Sequence, residues 1–377
     1  MTRRDFLKRL GVSSLALPLL PSLIREVLYA EEPTAKQGFV RPKKAYYYAK
    51  RKNKVVQCFL CPKKCVVPKG QRGYCEVREN RDGEYYTLVY GNPCAVHIDP
   101  IEKKPLFHVL PGTRAFSIAT AGCNFDCKYC QNWEISQVRP EATYNFDLPP
   151  YKIVRLASEY NCKSIAYTYT EPSIFYEYML DTAIQAKRRG ILNLYHSNGF
   201  LNRRPLLKLI KYLDAANIDL KGFTQNFYSE ICEGELQPVL DTIKTLKRKG
   251  VWVEITNLVI PTKNDNFKKI REMCEWIKRE VGDEVPLHFS RFYPMYKLKD
   301  LPPTPVPTLE RARNIALKVG LKFVYIGNVF GHPAENTYCP RCKKVVIRRK
   351  GYNILELNLR NGRCKFCGRK IPGIWQA

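Results

Sequence analysis

Between residues 113 and 332 the apolar positions fall in short runs separated by longer amphipathic stretches. Runs at 116–121, 164–169, 193–196, 216–220, 251–260 and 286–292 are rich in β-formers and bounded by Gly, Asn, Asp or Pro, which predicts strands. Between them, 152–160, 174–189, 205–212, 236–249 and 267–281 carry helical patterns, and 308–319 follows the last run. Strands alternating with helices predict βαβ units and a parallel sheet. Six such units predict an α/β fold built on a partial (β/α)6 TIM-type barrel, because a full (β/α)8 barrel takes about 250 residues. A further run at 322–326 adds a candidate strand. Pro302, Pro303, Pro305 and Pro307 predict a stiff loop over the barrel's end. The expected organisation is a signal-like segment over 1–30, an N-terminal Cys-rich module over 31–112, the barrel over 113–332 and a C-terminal zinc-ribbon-like module over 333–377.

The first thirty residues follow another pattern. Thr2-Arg3-Arg4-Asp5-Phe6-Leu7-Lys8 is similar to a twin-arginine export motif, and an apolar stretch follows over 10–24. That stretch is shorter than the ~20 residues of a spanning helix and contains Pro18 and Pro21. It reads as a signal-peptide apolar region with no stable membrane span. Ala30 is a candidate cleavage boundary, with Leu28 where A-x-A has its first alanine. Export by this route carries folded proteins, so a metal cluster could be inserted first. The alternative is a basic amphipathic helix on a cytoplasmic protein.

The 45% hydrophobic and 12% aromatic content supports a packed core and excludes a disordered chain. Lys and Arg outnumber Asp and Glu by 63 to 35, for a net charge of +28. The cations are spread along the chain, which reads as a solvated Lys-rich surface. An anionic partner, nucleic acid included, is the alternative.

Fifteen cysteines change the picture most. Cys339-x2-Cys342 and Cys364-x2-Cys367 are separated by 21 residues and predict a structural zinc ribbon, with a hairpin over 345–347 and 352–359. Cys58, Cys61, Cys65 and Cys75 offer four ligands in 18 residues, for zinc or a second iron–sulfur cluster. Cys94, Cys162, Cys232 and Cys274 stand alone and read as core residues.

The third group is Gly122-Cys123-Asn124-Phe125-Asp126-Cys127-Lys128-Tyr129-Cys130, directly after the first barrel strand. Three thiolates bind three irons of a cubane and leave the fourth iron open. With Tyr129 before the third cysteine, this CxxxCxxC loop resembles that of radical S-adenosylmethionine enzymes. The resemblance implies a [4Fe–4S] cluster whose open iron is chelated by the methionine amino and carboxylate groups. Reductive cleavage then gives a 5′-deoxyadenosyl radical that abstracts hydrogen. A low-potential electron donor is implied as a partner.

Other polar residues fall at predicted strand ends, where barrel enzymes keep their sites. By resemblance to glycyl-radical-enzyme activases, the Glu171 loop would face the methionine amino group. Ser197 and Asn198 would face the ribose or carboxylate, with Asp219 and Lys221 nearby. His288 and Arg291 end the sixth strand as further candidates. The bland reading of Asp219 is a salt bridge at the barrel's end.

The motifs Cys58–Cys75, Asp99–Leu106, Gly122–Ser136, Tyr169–Pro172, Asn217–Gly222 and Cys339–Trp375 together resemble the radical component of the AmmeMemoRadiSam system. That resemblance covers about residues 55–375 and implies AMMECR-type and Memo-type proteins as companions. It leaves the substrate open. A glycyl-radical activase, an RNA-modifying radical enzyme and a non-catalytic iron–sulfur electron carrier stand as alternatives.

Overall fold

A computed structural model describes residues 34–376, of which 35–376 belong to one compact unit. The twin-arginine-like segment lies outside the described residues. No helix among the described residues is long and apolar enough to cross a membrane.

The unit is organised around an eight-stranded sheet. Its strands are β1 (Ala95–Pro100), β2 (Arg114–Ala119), β3 (Ser164–Tyr167), β4 (Leu192–Ser197), β5 (Ala215–Asp219), β6 (Trp252–Val259), β7 (Leu287–Arg291) and β8 (Val324–Gly327). The spatial order runs from β8 to β1 in reverse chain order. β2 to β8 are parallel, and β1 pairs antiparallel with β2, Ala95 opposite Ala119. β1 and β8 remain as edges, so the barrel is open. The six connecting helices are α1 (Pro150–Glu159), α2 (Tyr176–Arg188), α3 (Arg203–Leu209), α4 (Leu236–Arg248), α5 (Phe267–Glu280) and α6 (Val306–Val319). This is the expected (β/α)6 series, with the run near 322–326 forming a seventh parallel strand. The central strands are covered on both faces, which is why they read as continuous apolar runs rather than alternating ones.

Local chemistry sets the boundaries. Asn266 caps α5 by accepting from the N–H groups of Lys268 and Lys269. Gly320, at φ +108, ends α6 with its N–H on the Ala316 and Leu317 carbonyls. The helix expected over 174–189 begins instead as a 3-10 turn, Pro172–Phe175, because the Glu171 side chain caps Ser173 N–H there. A π-turn at Tyr228–Cys232, not foreseen, precedes α4 and ends in Glu233 at φ +55.

Small sheets flank the barrel. In the N-terminal module, Arg78 is fully buried and pairs with Glu177 of α2. In the C-terminal module, Val345–Lys350 and Asn353–Leu357 form the hairpin. Its apolar face joins Phe107, Phe323 and Tyr325 in a separate core. Buried Arg349 donates to the Phe107 carbonyl at 2.7 Å, fastening the hairpin to the barrel.

Candidate active site

Strand ends converge on one cavity of about 560 Å³, within the roughly 300–1,000 Å³ usual for small-molecule sites. Cys123, Cys127 and Cys130 all line it, as do Glu171, Ser197, Asn198, Asp219, Lys221 and His288. Arg291 does not. Its Nε donates to the Thr304 carbonyl at 2.8 Å, so it holds the proline-rich loop instead.

The cysteine loop is fixed by close contacts. Gly122 has φ +92, and a Cβ there would stand 2.5 Å from Val77 Cγ1 and 2.6 Å from the Cys75 carbonyl oxygen. The N–H groups of Asp126 and Lys128 donate to the Cys232 and Ile231 carbonyls at 3.1 and 2.9 Å. The π-turn is therefore the shelf on which the loop rests. Phe125 N–H lies 3.4 Å from Cys123 Sγ, and Ser136 Oγ lies 3.2 Å from Cys130 Sγ. Such contacts to sulfur tune a cluster's potential. Burial pushes the Cys123 and Cys130 thiols up, and the Cys232 thiol together with burial does the same to Cys127. A bound cation is what would hold all three as thiolates.

Sequence reasoning placed Cys232 in the core. It is fully buried, yet it packs behind the loop, with its sulfur 3.7 Å from the Tyr129 hydroxyl. It is not a lining residue, so the cavity side of the loop carries three cysteines. Only the fold could reveal this, because 102 intervening residues separate Cys232 from Tyr129.

Across the cavity, Glu171 organises two strand ends. Its carboxylate accepts from Ser173 N–H (2.8 Å), Ser197 Oγ (2.7 Å) and Asn198 N–H (2.8 Å). Burial pushes this carboxyl up against those three donors. Asn198 Nδ2 donates to Asn124 Oδ1 at 2.8 Å, tying the same strand end to the cysteine loop. Asp219 pairs with Lys221 Nζ at 3.0 Å and His196 Nε2 at 3.3 Å. Against the cost of burial, the Lys221 ammonium and the His196 hydrogen bond hold the Asp219 carboxyl well below the usual range. The salt bridge and a cavity-facing position thus coexist at Asp219 and Lys221. His288 lines the cavity but its Nε2 is 2.7 Å from Glu254, which also accepts the Phe107 and His108 N–H groups.

The third wall comes from β1, the turn after it and the residues just beyond β3. His97, Lys103 and Tyr169 line it. Tyr169 stands at φ +65, with its carbonyl held by Asn132 Nδ2 at 2.7 Å and its hydroxyl on Asp99. Buried Lys104 pairs with the same carboxylate at 2.5 Å. The sequence showed the Asp99–Leu106 motif, but not that β1 folds back antiparallel and brings it to the cavity.

The four C-terminal cysteines form a separate site on the ribbon. Their sulfurs all lie within 4.8 Å of one another, a group able to hold a metal ion.

The sequence profile of the Radical SAM superfamily matches residues 117–277, spanning the cysteine loop and β2 to α5. A relative in Methanocaldococcus jannaschii, named only as an uncharacterized protein, is 48% identical over 331 residues, 87% of this chain and 98% of that one. The pyruvate formate-lyase-activating enzyme of Clostridium pasteurianum is 22% identical over 203 residues, 51% of this chain and 84% of that one. A radical SAM methyltransferase structure from Sphaerobacter thermophilus covers 85% of each chain at 14% identity, with a TM-score of 0.48. With three cysteines of a CxxxCxxC loop opening on one cavity and this profile over the same strands, the chain carries a Radical SAM superfamily domain over residues 117–277, which points to an enzyme.

Proposed function

We propose that this enzyme cleaves S-adenosylmethionine reductively and uses the 5′-deoxyadenosyl radical to take a hydrogen atom from a substrate in the same cavity. The observation that carries the reading is the placement of Cys123, Cys127 and Cys130 on the cavity wall with Cys232 behind them. Three soft thiolate donors fit a [4Fe–4S] cluster and leave one iron for the cofactor. When bound there, cluster and cofactor supply the electron transfer and the radical; the chain's residues bind, orient and exclude water.

Glu171 is the residue best placed for the methionine ammonium. A carboxylate offers about four lone-pair positions, and three are taken by Ser173, Ser197 and Asn198. Glu171 also lines the cavity that the three loop cysteines line. Lys221 offers a cation for the methionine carboxylate, held in place by Asp219. Asn198 sets the spacing between the Glu171 wall and the cysteine loop through Asn124. The ribbon cysteines are proposed to hold structural zinc, away from the chemistry. AMMECR-type and Memo-type partners follow from the motif resemblance alone.

A second reading, activation of a glycyl-radical partner protein, is favoured by relatives named for that activity. These are the C. pasteurianum enzyme and an M. jannaschii protein, 28% identical over 217 residues, named as a putative glycyl-radical enzyme activating enzyme. The test of the main reading is electron paramagnetic resonance of the reduced, reconstituted protein. Adding S-adenosylmethionine is expected to shift the cluster signal, and Lys221→Ala to weaken the concentration dependence of that shift. A signal indifferent to the cofactor would refute an open iron at this loop.

A further inference from the structure

The cysteine groups differ in how closely their sulfurs approach. In the ribbon, Cys339 and Cys367 sulfurs lie 3.6 Å apart, and Cys342 and Cys364 sulfurs 3.7 Å apart. Thiolates at 2.3 Å from one tetrahedral zinc stand about 3.8 Å apart, so the ribbon already has zinc dimensions. Among the described residues it is the one group of three or more ligand atoms all within 4.8 Å of one another. The radical loop does not close to that spacing, as a cubane with separate irons for separate thiolates requires. Cys58, Cys61, Cys65 and Cys75 do not close to it either.

These four are nonetheless one group. Cys58 N–H donates to the Cys65 carbonyl at 2.9 Å, and Lys64 N–H closes a turn on the Cys61 carbonyl at 3.2 Å. A Cβ at Gly73, two residues before Cys75, would stand 3.7 Å from Cys65 Sγ. Tyr74 N–H donates to Cys65 Sγ at 3.4 Å, like the contact to Cys123.

The group also touches the radical loop. The Cys75 carbonyl packs against Gly122, the residue before Cys123. The Tyr74 hydroxyl donates to Glu233, at the end of the π-turn shelf, at 2.7 Å.

We propose that Cys58, Cys61, Cys65 and Cys75 hold a second iron–sulfur cluster, fully ligated by protein, that relays electrons to the radical loop. A one-electron iron–sulfur or flavin donor is oxidised by one electron. The second cluster accepts that electron and returns to its oxidised form on passing it to the cluster at Cys123, Cys127 and Cys130. No bond forms or breaks and no proton moves. The relay rests on the radical reading; the presence of the cluster does not.

The test is metal analysis with Mössbauer and paramagnetic resonance spectra of the anaerobically reconstituted full-length chain. About eight irons and about one zinc per chain are expected. The Cys123→Ala/Cys127→Ala/Cys130→Ala variant is expected to keep about four irons and a reducible signal. About four irons in the unmodified chain, or a triple variant with no iron and about two zincs, would overturn the proposal. A triple variant that keeps its irons beside an unmodified chain that never cleaves S-adenosylmethionine would sink the radical reading and leave the second cluster standing.

Discussion

Gly122→Ala tests the contact that fastens the radical loop to the N-terminal cysteine module. Gly122 sits at φ +92, where an L side chain costs roughly 1–2 kcal/mol. The new methyl would also stand 2.6 Å from the Cys75 carbonyl and 2.5 Å from Val77 Cγ1. The carbonyl is backbone and Val77 is fully buried, so neither has room to turn away. Overpacking of that kind adds about 1–3 kcal/mol, giving a total loss of about 2–5 kcal/mol. Gly250→Ala is the control. It shares a positive φ of +81, but a Cβ there meets nothing within 4 Å, so only the backbone cost applies. Urea unfolding of both variants should show Gly122→Ala the less stable by at least about 1 kcal/mol. Its iron content after anaerobic reconstitution should also fall, because the loop must shift to relieve the overlap. Equal stability and full iron in the two variants would refute the packing argument.

Three further outcomes follow from the same geometry. Glu171→Gln turns an amide N–H toward donors and should destabilise the protein by about 1–3 kcal/mol in a thermal melt. It should also lower 5′-deoxyadenosine yield; an unchanged yield would remove Glu171 from cofactor binding. His108 is fully buried with its proton-binding form disfavoured, chiefly by burial, to about 4 from the ordinary 6.5. The unfolded chain therefore binds the extra proton first, so this stability is full above pH 6.5 and is lost as pH falls toward 4. That amounts to about 3 kcal/mol, and His108→Gln should flatten this part of the pH dependence of the urea midpoint. Stripping zinc from the ribbon with a thiol-directed mercurial should free about one equivalent and expose Trp375, whose Nε1–H donates to the Ile371 carbonyl at 2.8 Å. A red shift in tryptophan emission reads this out, while release without any spectral change would separate the zinc from the ribbon fold.

The alternation of apolar runs and amphipathic stretches made the barrel legible because both periodicities are local. Every expected strand and helix from 116 to 319 overlaps an observed one. What escaped was long-range. β1 gave no clear alternation, and its antiparallel return along β2 is decided by the tertiary pairing of Ala95 with Ala119. The three-cysteine loop was plain from spacing, but the π-turn that supports it and the approach of Cys232 depend on chain 100 residues away. Arg291 ends its strand as expected, yet the Thr304 carbonyl claims its guanidinium. The Glu171 carboxylate was visible as a residue, while its three donors come from two separate strand ends.

The central claim is that Cys123, Cys127 and Cys130 leave an iron open to S-adenosylmethionine. The direct measurement is 5′-deoxyadenosine formed by the anaerobically reconstituted, dithionite-reduced protein supplied with S-adenosylmethionine. The account predicts 5′-deoxyadenosine from the unmodified chain and none from a chain in which those three cysteines are alanine. An intact cluster at this loop that binds the cofactor and never cleaves it would contradict the account.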